Sequence, residues 1–259
     1  MLSLDVVQIA LLLTIFAGLS TGIGSSIAFF IRHPKTEYLS IALGFSAGVM
    51  IYISFGELLP NAMEHNGSVM GSIAFFVGIL VIGLIDLVIP DESNPHHFYG
   101  IKKETIIGEN PELLRTGMFT ALAIAIHNFP EGLATFATAL GDIRLGVLIA
   151  FAIAIHNIPE GISVSMPIFF ATRNRKKAFT YSFLSGVAEP VGAIIGFLIL
   201  MPFLSSGLLS SMLAFVAGIM VYISVDELLP MAHQYGHGHI VMTGFVLGMG
   251  IMAISLLLL

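Results

Sequence analysis

Apolar residues run through this chain in long, nearly continuous blocks, broken by short polar connections. The blocks cover 6–31, 39–60, 69–89, 116–140, 145–170, 178–203, 208–231 and 240–259. A membrane-crossing helix needs about 20 mostly apolar residues, and each block meets that length. A β-barrel would instead show short alternating segments with polar lumen positions. The pattern therefore predicts an all-α polytopic membrane protein with eight transmembrane helices. The first block does not read as a signal peptide: Met1-Leu2-Ser3-Leu4-Asp5 has no positive charge, and the apolar run behind it is too long. The one long connection, 91–115, is polar, contains Pro95 and Pro111, and carries charges of both signs, so it is expected to be a loop. Nothing else could form a soluble unit, and residues 1–259 are read as a single membrane domain.

Composition agrees and narrows the classes. Of the 259 residues 56% are hydrophobic and 10% charged, with a mean hydropathy of +0.97; soluble domains carry about 25% charge. This excludes a soluble enzyme and a disordered chain, and a formal charge of -6 gives no basic footprint for nucleic acid. The absence of cysteine removes disulfides, thiolate metal sites and thiol nucleophiles. Arg32, Lys35, Lys102, Lys103, Arg115, Arg173, Arg175, Lys176 and Lys177 fall in the connections after helices 1, 3, 5 and 7, and only Arg144 falls on the other side. That bias predicts both termini outside and the 91–115 loop in the cytoplasm.

Two internal similarities stand out. Ala47-Gly48-Val49-Met50-Ile51-Tyr52-Ile53-Ser54 through Glu57-Leu58-Leu59-Pro60 recurs as Ala217-Gly218-Ile219-Met220-Val221-Tyr222-Ile223-Ser224 through Glu227-Leu228-Leu229-Pro230. The copies lie on helices 2 and 7, which run in opposite directions. Gly18 and Gly24 of helix 1 correspond, more weakly, to Gly186 and Gly192 of helix 6, which sets Thr21 against Glu189. The expected architecture is 3+2+3, with helices 1–3 and 6–8 as inverted repeats around a helix 4/5 hairpin, the usual plan of a secondary transporter. The second similarity is sharper. Ala123-Ile124-Ala125-Ile126-His127-Asn128-Phe129-Pro130-Glu131-Gly132 returns as Ala152-Ile153-Ala154-Ile155-His156-Asn157-Ile158-Pro159-Glu160-Gly161. With the turn near Ile143, both copies fall at one depth close to the bilayer centre.

A carboxylate at that depth costs about 2.5–3.5 kcal/mol on insertion scales. No Lys or Arg on helices 4 and 5 lies there to offset it, and a bound cation is the obvious partner. Histidine and glutamate four residues apart share one helix face. Each proline removes the N–H that would bond the carbonyl four residues back, on Ile126 and Ile155, and so frees another polar group. Gly132 and Gly161 let a neighbouring helix approach. His127, Asn128, Glu131, His156, Asn157 and Glu160 together offer imidazole nitrogen, amide oxygen and carboxylate oxygen. That set suits Zn²⁺, Fe²⁺, Mn²⁺, Co²⁺ or Cd²⁺ rather than soft Cu⁺. Helix 6 adds Glu189, followed by Pro190. Two divalent ions per chain, bridged by Glu160 and Glu131, would bring +4 against the three carboxylates. These ions are transported substrate; no catalytic cofactor is expected.

With their Glu-Pro on helix 6, the paired His-Asn-x-Pro-Glu-Gly motifs resemble the ZIP (Zrt- and Irt-like) zinc and iron permeases, most closely their small bacterial members. The likeness covers the whole chain. It implies import of divalent metal toward the cytosol, broad metal selectivity, residence in the cell (inner) membrane and, often, homodimers. By resemblance His127, Glu131 and Glu160 hold one metal, while Asn128, Asn157, Glu160 and Glu189 hold a second, with Glu131 available as a bridge. His156 has a less settled role, because some relatives differ there. Many relatives have a His-rich stretch after helix 3, where this chain has only His96-His97.

Acids at both ends of the repeat suggest a path. Glu57 is expected at the outer end of helix 2, with His65 just beyond. Asp226-Glu227 is expected at the inner end of helix 7, near Asp86 of helix 3, with His233 farther in. The functional expectation is a secondary metal importer working by alternating access, without an ATP site, since no G-x-x-x-x-G-K-[ST] occurs. Two other classes use the same residues. A membrane-embedded metallohydrolase needs an open metal position and a base for water, and the zincin H-E-x-x-H is absent. A passive divalent-metal channel is the third reading.

Overall fold

A computed structural model describes residues 4–30, 36–88, 111–200, 203 and 205–258. These form α1 (Leu4–Phe30), α2 (Thr36–Ile53), α3 (Leu59–Asn66), α4 (Ser68–Val88), α5 (Pro111–Gly141), α6 (Ile143–Thr172), α7 (Arg175–Leu200), α8 (Ser206–Ile223), α9 (Leu229–Tyr235) and α10 (Gly238–Leu258). Among the described residues there is no strand. Seven helical runs are long and apolar enough to cross a membrane. The eighth long helix is α5, whose 31 residues include buried Thr120, Asn128, Glu131, Thr135 and Thr138. Large apolar side chains such as Phe76, Leu80 and Leu84 of α4 and Val246, Ile251 and Ile254 of α10 are exposed, as the lipid-facing surface of a multi-pass membrane protein requires.

Two spans differ from the expected bounds for one reason. The second does not stop at Pro60, nor the seventh near Met231. A π-helical turn, Ser54–Leu58, joins α2 to α3, and Ser224–Leu228 joins α8 to α9. In each the following leucine N–H (Leu59, Leu229) donates to the serine carbonyl five residues back. Pro60 and Pro230 cannot donate, and their rings would crowd the carbonyl four residues back. The wider π turn absorbs both problems and lets the helix run on. Ser54 Oγ and Ser224 Oγ each bond the carbonyl four residues before them, on Met50 at 2.7 Å and Met220 at 2.6 Å. The expected 91–115 loop is also shorter: 111–115 belongs to α5, because proline suits the first helical turn, where its missing N–H costs nothing. The rest of that loop, with Lys102, Lys103 and His96-His97, lies outside the described residues, as do Arg32 and Lys35.

The helices pack in two groups. In one, α1 lies along α6, α5 along α7, and α1 and α6 meet α7 and α5. In the other, α2 lies along α10 and α4 along α8, with α3 and α9 clipped to α8 and α2. The groups touch chiefly where α2 meets α6 and α5 meets α8. Asn66 of α3 donates to the Gly207 carbonyl and to Ser211 Oγ (3.1 and 2.7 Å), and Ser40 of α2 donates to the Ala232 carbonyl of α9 (2.7 Å). A single residue joins α5 to α6: Asp142, whose carboxylate accepts the N–H groups of Arg144 and Leu145 and caps α6.

Candidate metal centre

The prolines and glycines of the twin motifs explain why polar side chains converge in the first group. Both motifs remain helical, with Pro130 inside α5 and Pro159 inside α6. A Cβ on Gly132 would overlap the Glu189 carbonyl of α7, and one on Gly161 would overlap the Thr21 carbonyl of α1. The same relation recurs nearby, where Gly192 of α7 meets the Phe129 carbonyl and Gly24 of α1 meets the Ile158 carbonyl. Four helices thus approach backbone to backbone, and the motif side chains are pressed into the space between them.

Asn128, Glu131, His156, Asn157, Glu160 and Glu189 are all buried, none more than 1% exposed. His156 Nε2 lies 3.1 Å from Glu131 Oε1 and 4.0 Å from Glu160 Oε1, so the imidazole of α6 stands between the two motif carboxylates. Asn157 Nδ2 donates to Glu189 Oε2 and to the Ala17 carbonyl, both at 3.0 Å. Asn128 Nδ2 donates to the Ser185 carbonyl at 3.1 Å. Each amide is therefore oriented by a neighbouring helix through its nitrogen, and its oxygen is left as an acceptor. Among the described residues Asn128 Oδ1, Asn157 Oδ1, Glu131 Oε2 and Glu189 Oε1 are buried without a hydrogen-bond donor. Buried acceptors without donors are costly, and four oxygens in one cluster match the chemistry of a cation.

The structure thus brings together Glu131, His156, Asn157, Glu160 and Glu189, and buries Asn128 on α5 against the Ser185 carbonyl of α7. The seventh expected residue, His127, lies on α5, and its side chain falls outside the described residues. Among the described residues no three His, Asp or Glu side chains close on a point in metal-holding geometry. Sequence reasoning missed the two carbonyls, of Ala17 and Ser185, that orient the amides, because any residue type supplies a carbonyl. Thr21 was legible only as the counterpart of Glu189. Its buried Oγ1 has no partner among the described residues and would lie 2.9 Å from a Cβ on Gly186.

The six expected path residues lie on the second group. Glu57 and Asp226-Glu227 are not at helix ends: because α3 and α9 continue past the prolines, these acids sit within the π turns, about two helical turns inside. Glu57 and Asp226 are half-buried and Glu227 is buried. Tyr222 OH donates to Asp86 Oδ2 at 3.3 Å and also meets Asp226, linking α4 to the π turn. His65 and His233 are exposed, with Nδ1 of each 2.8 Å from the carbonyl four residues back.

Comparison with known proteins bears on the family. The family model described as "ZIP Zinc transporter" matches residues 99–256. The chain is 57% identical over 259 residues to "Zinc transporter ZupT" of Chlorobium phaeovibrioides, covering 96% of this chain and 97% of that one. It is 54% identical over 258 residues to the protein of the same description in Streptococcus mutans, covering 96% and 97%. It is also 54% identical over 267 residues to that of Oceanobacillus iheyensis, covering 99% of this chain and all of that one.

Proposed function

Starting from the chain's membership of the ZIP zinc transporter family, which makes it a membrane metal-ion transporter and not an enzyme, we propose that it imports Zn²⁺ into the cytoplasm by alternating access, with the central cluster as the transit site. Fe²⁺, Mn²⁺, Co²⁺ and Cd²⁺ are further substrates on the chemistry of the donor set. The observation that carries this reading is the set of donorless buried oxygens on Asn128, Glu131, Asn157 and Glu189, beside His156 and Glu160. His127 completes the set. Two ions per chain balance the three carboxylates best, with Glu160 and Glu131 bridging them.

The paired close approaches, Gly132 to Glu189 and Gly161 to Thr21, then Gly192 to Phe129 and Gly24 to Ile158, support the 3+2+3 inverted-repeat plan. So does the pairing of α2 with α10 and of α4 with α8. In that plan all the central ligands ride on α5, α6 and α7, packed with α1 in one group, and the path acids stay on the other group. The limited seam between the groups supports their relative displacement as the step that alternates access. The full burial of the cluster supports a carrier over a passive channel, because a channel needs a continuous hydrated path. Both termini outside and the connection after α4 in the cytoplasm complete the reading.

Uptake of radiolabelled Zn²⁺ by vesicles containing the purified protein, with a panel of competing divalent ions, tests it. Saturable uptake that Glu160→Gln abolishes is the expected result. Uptake that never saturates, or that Glu160→Gln leaves intact, would overturn it.

A further inference from the structure

Charge is divided between the two helix groups. Among the described residues every Lys and Arg lies on α5, α6, α7 or the turns that join them: Arg115, Arg144, Arg173, Arg175, Lys176 and Lys177. The other group, α2–α4 and α8–α10, holds no described Lys or Arg and carries Glu37, Glu57, Glu64, Asp86, Asp226 and Glu227. Five of the six cations share one end. Leu114, beside Arg115, packs against an apolar cluster that includes Ile168, Phe169 and Ala178, and a Cβ on Gly117 would meet Ile168, so the start of α5 lies by the end of α6 and the start of α7.

That turn is ordered. Arg173 ends α6 at φ 53°, with its N–H on the Phe169 carbonyl, and Asn174 Oδ1 accepts the Lys177 N–H at 3.0 Å. The Arg175 guanidinium lies 5.4 Å from the centre of the Phe169 ring, and Lys177 Nζ lies 5.9 Å from that of Tyr181. Aromatic rings under basic head groups at the end of a membrane helix are the arrangement of a water–lipid interface. Arg115, Arg173, Arg175 and Lys176 are exposed there.

We propose that the α6–α7 turn docks the phosphate headgroups of anionic phospholipids. These lipids thereby bias the position of the helix group that carries the metal ligands. Each basic residue at an anionic leaflet adds to the attraction. Among the described residues the cations lie on one group, while Arg32, Lys35, Lys102 and Lys103 fall in the connections between the groups, so the attraction acts more on this group than on its neighbour. A ligand shifts a conformational equilibrium only by such a difference. The second part rests on the transport cycle proposed above; the docking does not.

Two readouts keep them apart. In the first, the protein is held in mixed phosphatidylcholine and phosphatidylglycerol nanodiscs, and the lipid retained on release is counted by native mass spectrometry. The parent should retain phosphatidylglycerol preferentially. A variant with Arg173→Asn, Arg175→Gln, Lys176→Gln and Lys177→Gln should retain about threefold less or lower, while Arg144→Gln at the far end should match the parent. Asparagine is chosen at 173 because it tolerates positive φ. Arg173→Lys with Arg175→Lys keeps the charge and should keep the lipid, which separates charge from folding. Equal retention by parent and the four-site variant would overturn the docking. Equal retention of phosphatidylcholine and phosphatidylglycerol by the parent would overturn the anionic lipid as its occupant.

In the second readout, initial Zn²⁺ uptake is compared between the two lipid compositions. Parent and variant are measured side by side in each, because an anionic surface itself gathers Zn²⁺. The parent-to-variant ratio should change by about threefold or more between compositions. A constant ratio would overturn the bias on transport. If no vesicle takes up metal, the transport reading fails and lipid retention still decides the docking.

Discussion

Asn157 of α6 donates its amide N–H to the Glu189 carboxylate of α7 at 3.0 Å. One amide thus joins the repeated motif to the carboxylate that stands outside it. In the proposed inverted repeat the counterpart of Glu189 is Thr21, which makes the cluster lopsided: α7 contributes an acid where α1 contributes a hydroxyl.

The first prediction follows from that asymmetry. Glu189→Ala should lower bound metal from two ions toward one per chain and weaken the remaining affinity. Glu160→Gln, removing the bridge, should impair both positions by about tenfold or more. Thr21→Ala should do much less than either. Metal analysis of the purified protein, with equilibrium Zn²⁺ titration, measures all three. A stoichiometry of one that Glu189→Ala leaves unchanged would refute the second ion.

The glycine contacts give a stability test. Gly132→Ala and Gly161→Ala push a methyl group into the Glu189 and Thr21 carbonyls, and overpacking of this kind costs about 1–3 kcal/mol. Thermal unfolding in detergent should show both variants melting several degrees lower. Gly250→Ala is the control, since nothing lies within 4 Å of its added Cβ. A fall for Gly250→Ala equal to that for Gly161→Ala would contradict the packing.

Acid should release the metal. Imidazole and carboxylate bind in their deprotonated forms, so protons compete with the ion. The sign is fixed: affinity is highest at neutral pH and falls as pH falls. Zn²⁺ titrations at a series of pH values should show it, with a shallower dependence once Glu189 is replaced by alanine. Tighter binding in acid would rule out carboxylate and imidazole ligation.

Much of this was legible in the residues, and the remainder had physical reasons to be hidden. Apolar blocks must be long because lipid offers the backbone no hydrogen bonds, so the spans announced themselves. The twin motifs did too, because buried ionisable groups are expensive at that depth. The hairpin register followed from their spacing, and His156 does meet Glu131 across it. The expected span ends at Pro60 and Met231 fall short of Asn66 and Tyr235, because proline as a helix breaker is the stronger local rule and a π turn is a less common escape. The error displaced Glu57, Asp226 and Glu227 outward to mouths that lie farther along. The start of α5 at Pro111 could have been found, since Asn110-Pro111-Glu112 reads as a helix start.

Topology has a direct test, helped by a chain without cysteine. Asp142 and Lys176 flank opposite ends of α6. A cysteine replacing Asp142 should react with an impermeant thiol reagent only from outside the cell, and one replacing Lys176 only after the membrane is opened. The reverse pattern would invert the proposed direction of transport.

The junction at Asp142 bears on how cargo travels. One residue separates the two motif helices, and glycines lock each to a further helix at the depth of the ligands. Neither half of the coordination shell has slack to stay behind while the other half moves. In the proposed cycle an ion is therefore ferried with its ligands around it, not passed from hand to hand along a line of sites. Each crossing then delivers whatever the shell holds, so the count of ions per cycle is set at loading.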